Sequence, residues 1–146
     1  MKNKSAFGDT SAIVPLCCVQ DTSFTARQKM RAYQPIIVWW ATRAEALNSF
    51  SRLLREKSLT SKGFDQARNK LEKLQLLWAE VAPTEEVRLL AEALLMPHAL
   101  GTADGFQLAA ALIWCSELPG HHPFICADIQ LSKVAEKVGF DVLFIQ

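Results

Sequence analysis

The chain has little of what marks a secreted, membrane-spanning or covalently stapled protein. Its four cysteines, Cys17, Cys18, Cys115 and Cys126, offer no C-x-x-C spacing and sit among apolar residues. That predicts buried reduced thiols rather than a disulfide framework or a zinc site, and it suits the cytoplasm. The longest apolar run, around Leu108 to Cys115, is far shorter than the ~20 residues that span a bilayer. A soluble protein with no membrane partner is expected. The first residues carry Lys2 and Lys4 without an apolar run behind them, so no secretory signal is expected either. Glycine is sparse, and Gly63, Gly101 and Gly120 stand alone, which excludes a glycine-rich phosphate loop. The histidines, His98 and the pair His121-His122, have no carboxylate or cysteine at ligand spacing and read as loop residues. The D-x-D-x-T spacing of a phosphotransfer aspartate is missing after Asp9.

What is present is a chain of 146 residues, half of them hydrophobic, enough for one domain over residues 1–146 with a proper core. The net charge is only +1, but it is unevenly spread. Residues 27–73 hold eleven Lys and Arg against four acids, a net +7, and residues 74–146 hold three bases against nine acids, a net −6. Two readings of the basic half stand side by side, a solvated helix surface and an electropositive face for a polyanion.

Strand signals alternate with helix signals. Ala6-Phe7-Gly8 is a short strand candidate. After Asp9, Thr10-Ser11 open a helix through Leu16, with Pro15 expected in its first turn. Gln20 to Gln34 reads as a loop and an exposed helix. Ile36-Ile37-Val38-Trp39-Trp40 is β-branched and aromatic without a break, the pattern of a strand buried on both faces. Thr42, three residues before Glu45, fits a capping box and opens a helix with its apolar stripe on Ala46, Leu47, Phe50, Leu53 and Leu54. A second amphipathic helix, Phe64 to Trp78, completes a helical hairpin. Of its two apolar stripes one suffices for packing on a sheet, so either both are internal or one is left for a second copy or another partner. A short strand follows at Trp78 to Ala82, then a helix capped by Thr84 and stopped by Pro97. From Phe106 comes a helix apolar on nearly every face, with one Gln, headed by Asp104. A turn at Pro119 to Pro123, a strand Phe124 to Ala127, a helix Leu131 to Val138 capped by Gly139, and a strand Val142 to Ile145 end the chain. This order is that of an α/β protein with a parallel sheet.

Four acids fall in equivalent places. Asp9 and Asp128 follow strands, at the edge where open α/β sheets carry their sites. Glu45 lies one turn past the strand ending at Trp40, and Asp104 heads the buried helix. Each has a structural explanation as a helix cap. Together on one rim they would repel unless a hard cation such as Mg²⁺ or Mn²⁺ lay between them.

The residues around these acids resemble the PIN-domain ribonuclease family. Asp9-Thr10-Ser11-Ala12-Ile13-Val14 looks like its opening D-T-S-A-hydrophobic signature, and Arg43-Ala44-Glu45-Ala46-Leu47 resembles its second acidic element. Ala103-Asp104-Gly105-Phe106-Gln107-Leu108-Ala109-Ala110-Ala111-Leu112 is similar to its A-D-A-L-x-L-A-A-A-L helix. Phe124-Ile125-Cys126-Ala127-Asp128, with Leu131 and Ala135 to Gly139, is similar to its closing segment. The likeness runs through the whole chain in order, and the size is that of the VapC-like toxins of type II toxin–antitoxin pairs. It implies a three-layer α/β/α sandwich around a five-stranded parallel sheet. It also implies an endoribonuclease in which Asp9, Glu45, Asp104 and Asp128 hold Mg²⁺ or Mn²⁺, and a metal-activated water cuts RNA to leave a 5′-phosphate and a 3′-hydroxyl.

Thr10 and Ser11 would support the site, Arg52, Arg55 and Arg68 would contact RNA phosphates, and a cognate antitoxin and a homodimer are the expected partners. The alternative is a catalytically weak PIN-fold module that binds RNA or protein. Two positions and one strand depart from the family pattern. Cys126 stands where it has Thr or Ser, Gly105 replaces Ala and should loosen the helix start by up to ~1 kcal/mol, and the first strand is short and polar. Trp39-Trp40 is either a base-stacking pair or core, with at least one of the two in the core.

Overall fold

The computed structural model describes residues 4–146. Five strands form one parallel sheet among them: β1 (Lys4–Gly8), β2 (Tyr33–Trp39), β3 (Ala79–Val81), β4 (Pro123–Cys126) and β5 (Asp141–Phe144). Their order is β3-β2-β1-β4-β5. Seven helices connect them: α1 (Thr10–Cys17), α2 (Ser23–Met30), α3 (Thr42–Arg55), α4 (Ser61–Gln75), α5 (Glu85–His98), α6 (Thr102–Trp114) and α7 (Ile129–Val138).

Side-chain alternation along the strands builds two cores. Phe7, Ile37, Trp39, Phe124 and Cys126 point to the face covered by α5, α6 and α7. Ala6, Val38 and Ile125 point to the face covered by α1 to α4. The result is the three-layer α/β/α sandwich with a five-stranded parallel sheet. Register holds the three central strands together, with Phe7 of β1 opposite both Ile37 of β2 and Phe124 of β4. The Phe7 and Phe124 rings stack at 5.4 Å between centroids. Both are fully buried, each stabilising the fold by about 1.5–3 kcal/mol. No helix among the described residues is long and apolar enough to cross a membrane.

Several local expectations need correction. The weak first strand proves to be the centre of the sheet, with Ala6 and Phe7 wholly buried. Its polar start, Lys4-Ser5, lies outside the core and masks the signal. Pro15 sits in the second turn of α1, where it forfeits the bond to the Ser11 carbonyl. Pro97 lies inside α5, which ends only where Ala99 turns left-handed at φ 52°. Thr42 is not a cap: α3 starts on Ala41 without a side-chain cap, so the capping box with Glu45 does not form. Trp40 leaves the strand and is exposed, whereas Trp39 is core and stacks on Phe106. Both stripes of the α3–α4 hairpin turn inward, through Ala46, Phe50, Ala67 and Leu71, so no whole stripe is left over for a partner.

Gly105 has a packing role. A Cβ there would lie 2.5 Å from Leu95 Cδ2 and 3.6 Å from the Ala91 carbonyl. The missing side chain lets α6 press against α5, which offsets the conformational cost of glycine in a helix.

Candidate active site

The strand order places a crevice between β1 and β4. The chain leaves β1 toward β2 on one side, and leaves β4 toward β5 on the other, so the two connections diverge at their carboxyl ends. That divergence is where open α/β sheets bind ligands. Asp9 follows β1 directly, and Asp128 follows β4 after Ala127. The helix layers supply the other two acids, Glu45 from the first turn of α3 and Asp104 from the first turn of α6. All four carboxylates line one cavity of about 500 Å³, together with Thr10, Ser11, Arg52 and Gln107.

Asp9 and Asp128 are also helix caps. Asp9 Oδ1 accepts from the Ala12 amide at 3.2 Å, and Asp128 Oδ1 accepts from the Leu131 amide at 2.8 Å. Capping occupies one oxygen and leaves the carboxylate in the cavity, so a cap and a cavity-lining acid are the same side chain. Asp104 is different. Gly101 is the cap residue of α6 and no side chain caps that helix.

Asp9 is held by its neighbours. Ser11 Oγ donates to it at 2.7 Å and accepts from the Ala127 amide at 2.8 Å, tying the ends of β1 and β4. Cys126 Sγ lies 3.5 Å from Asp9 Oδ2. Burial, with the Asp9 charge next, pushes the Cys126 thiol far up, so it stays protonated and donates. Even so, burial raises the Asp9 carboxyl to about 7, outweighing the bonds from Ser11, Cys126 and Ala12. Asp104 is raised too, first by burial and then by Asp128 and Glu45. Burial, ahead of repulsion between the acids, is what resists the ionisation of these two carboxyls.

Glu45 belongs to a network. Its Oε1 accepts from Thr10 Oγ1 at 2.5 Å and from Gln107 Nε2 at 2.9 Å. Gln107 Nε2 also lies 3.0 Å from Thr10 Oγ1 and 3.1 Å from Thr42 Oγ1. The Thr42 hydroxyl therefore meets Gln107 instead of a helix amide. Among the described residues Gln107 Oε1 is buried and has no partner.

The expected phosphate-binding arginines are all exposed; Arg52 lines the cavity, and Arg55 and Arg68 do not. Sequence reasoning gave Gln107 no role. The available signal was one amide in a helix otherwise apolar from Phe106 to Cys115.

The donor set fits a hard divalent cation, being carboxylates and hydroxyls without an ionised thiol or a histidine. The carboxylates ring the cavity rather than converge, and among the described residues no three acid, histidine or cysteine side chains meet as a ready-made cluster.

Fold and cavity together are those of an open three-layer α/β/α sandwich that carries a ring of acids at the divergence of its parallel strands. No protein-family model and no curated protein matches the chain. Among solved structures it is similar to a chain in the "Crystal structure of VapBC2 from Rickettsia felis bound to a DNA fragment from their promoter". That likeness has a TM-score of 0.66 at 13% sequence identity and covers 97% of this chain and 99% of the other.

Proposed function

We propose that this protein is a Mg²⁺- or Mn²⁺-dependent endoribonuclease, the toxin of a toxin–antitoxin pair. The observation that carries the reading is the meeting of Asp9, Glu45, Asp104 and Asp128 around one cavity at the diverging strands of a PIN-like sheet. These four would hold the cation. When bound, it supplies a water acidic enough to attack near neutral pH and positive charge opposite the phosphate. The chain's own groups do the rest. Arg52 attracts an RNA phosphate to the cavity mouth, and Ser11 and Thr10 hold Asp9 and Glu45 in place. Because Asp9 keeps its proton up to about pH 7, cation binding releases a proton and strengthens as pH rises.

The antitoxin, and a second copy of the chain, are the partners of this reading. The exposed Leu76 and Leu77 at the end of α4 leave apolar surface for a protein partner. A second reading, a catalytically weak PIN-fold module that binds RNA or protein, is favoured by the lack of a ready-made cluster among the described residues.

Asp104→Asn separates the two. The substitution keeps the side-chain size and forgoes about 0.3–1 kcal/mol of charge–dipole stabilisation in the first turn of α6. Relief of repulsion with Asp128 and Glu45 offsets that loss. The nuclease reading expects the wild type to cleave RNA with Mg²⁺ or Mn²⁺, to melt higher with metal, and to lose both properties in Asp104→Asn. Metal-independent melting of the wild type, or equal cleavage by the variant, would overturn it.

A further inference from the structure

The interior of α6 carries one amide that its packing does not need. Gln107 is 2% exposed among Leu108, Ala109, Ala110 and Ala111, all wholly buried. A buried amide in such surroundings is costly unless its bonds are specific. Its Nε2 has three oxygen neighbours, on Thr10, Thr42 and Glu45, within 2.9–3.1 Å, but only two hydrogens to give. Turning the amide over would set its carbonyl oxygen against the Glu45 carboxylate at 2.9 Å, so the Glu45 contact fixes the orientation. The orphaned Oε1 follows from that choice. The amide serves Glu45 at the expense of its own carbonyl.

We infer that Gln107 is a positioning residue, which clamps Glu45 together with Thr10 so that this carboxylate faces the cavity in one conformation. Three observations converge on it. Glu45 receives Thr10 Oγ1 and Gln107 Nε2 on the same oxygen, Oε1, leaving Oε2 for a ligand. Thr42, on the helix that carries Glu45, faces the same amide and ties the first turn of α3 to α6. Asp104 and Gln107 are three residues apart on α6, on one helix face, so a single turn places one acid and orients another. The order this imposes is specific: Glu45 is pre-set, whereas Asp104 has no side-chain cap role to hold it.

The inference rests on the nuclease reading for its consequence, though not for the contact itself. The test uses Gln107→Met, which keeps length and removes both polar atoms, with Gln107→Leu as the second variant should the first not fold. Each is combined with Glu45→Ala in a double-mutant cycle. Two readouts are taken: the urea midpoint in chelator, and the Mn²⁺ concentration that half-saturates the rise in melting temperature. The expected result is a 10- to 100-fold higher Mn²⁺ midpoint in Gln107→Met, of the size that ligand-orienting partners contribute (about 10- to 100-fold). No further change should follow when Glu45 is already Ala.

An unchanged midpoint, or an equal shift in the Glu45→Ala background, would overturn the clamp. If the wild type shows no Mn²⁺ response, the nuclease reading falls separately. The chelator cycle still decides the contact, since non-additive urea midpoints support it and additive ones refute it.

Discussion

Asp9→Asn should make the metal-free protein more stable at pH 8 and scarcely more stable at low pH. In the folded chain burial raises the Asp9 carboxyl from 3.8 to about 7. A carboxyl with a raised folded pKa binds its proton more tightly in the native state, so it favours folding at low pH. That contribution is lost as pH climbs from about 4 to 7 and stays lost above. The gap is about three units, which at roughly 1.36 kcal/mol per unit is on the order of 4 kcal/mol in full. Between pH 5 and pH 8 it amounts to about 2–3 kcal/mol, a large share of a typical stability of about 5–15 kcal/mol.

Asparagine removes the titration, keeps Oδ1 for the Ala12 amide and gives up an acceptor for Ser11 and Cys126, a loss of about 1 kcal/mol. Urea unfolding followed by circular dichroism in chelator, at pH 5 and pH 8, gives the difference between wild type and variant, and the other titrating groups cancel. Mn²⁺ at pH 8 should then restore the wild type and leave the variant unmoved. Parallel pH curves for the two proteins would refute the claim that Asp9 is buried without a compensating charge.

Three other outcomes follow from the same geometry. Asp104→Asn should lose metal-dependent RNA cleavage with the fold intact, read by a cleavage assay beside thermal melts. Gly105→Ala should change stability by less than about 1 kcal/mol, because the Leu95 side chain can turn its Cδ2 away from the new methyl while alanine regains helix propensity, and urea unfolding measures it. Arg52→Ala should flatten the salt dependence of RNA binding, whereas the double change Arg55→Ala/Arg68→Ala should leave it nearly unaltered, because only Arg52 lines the cavity.

The sequence is most legible where the signal is local. Asp9 and Asp128 read as acids at strand ends because a strand, an acid and a helix follow one another within a few residues. The buried helix read correctly because its apolar residues occupy every face. What failed was non-local. Thr42 looked like a cap since Glu45 follows at the right spacing, but its partner is Gln107, 65 residues away. The centrality of β1 depends on β4, which no local pattern reveals. Gly105 looked like a weakness until Leu95 appeared opposite it. Gln107 was visible only as an exception, because an amide's role depends on which oxygens the fold brings to it.

The position of β1 bears on how the protein is made. A chain emerging from the ribosome presents Asp9 and Glu45 well before residues 123–128 have left it, and until then β1 has an open edge on the side that β4 will occupy. The Asp9 amide has no Ile125 carbonyl to bond, and Ser11 has no Ala127 amide to receive. The cavity cannot close, and a bare strand edge invites pairing with the wrong chain. Synthesis order thus delays the finished cavity until β4 and Asp128 have been added.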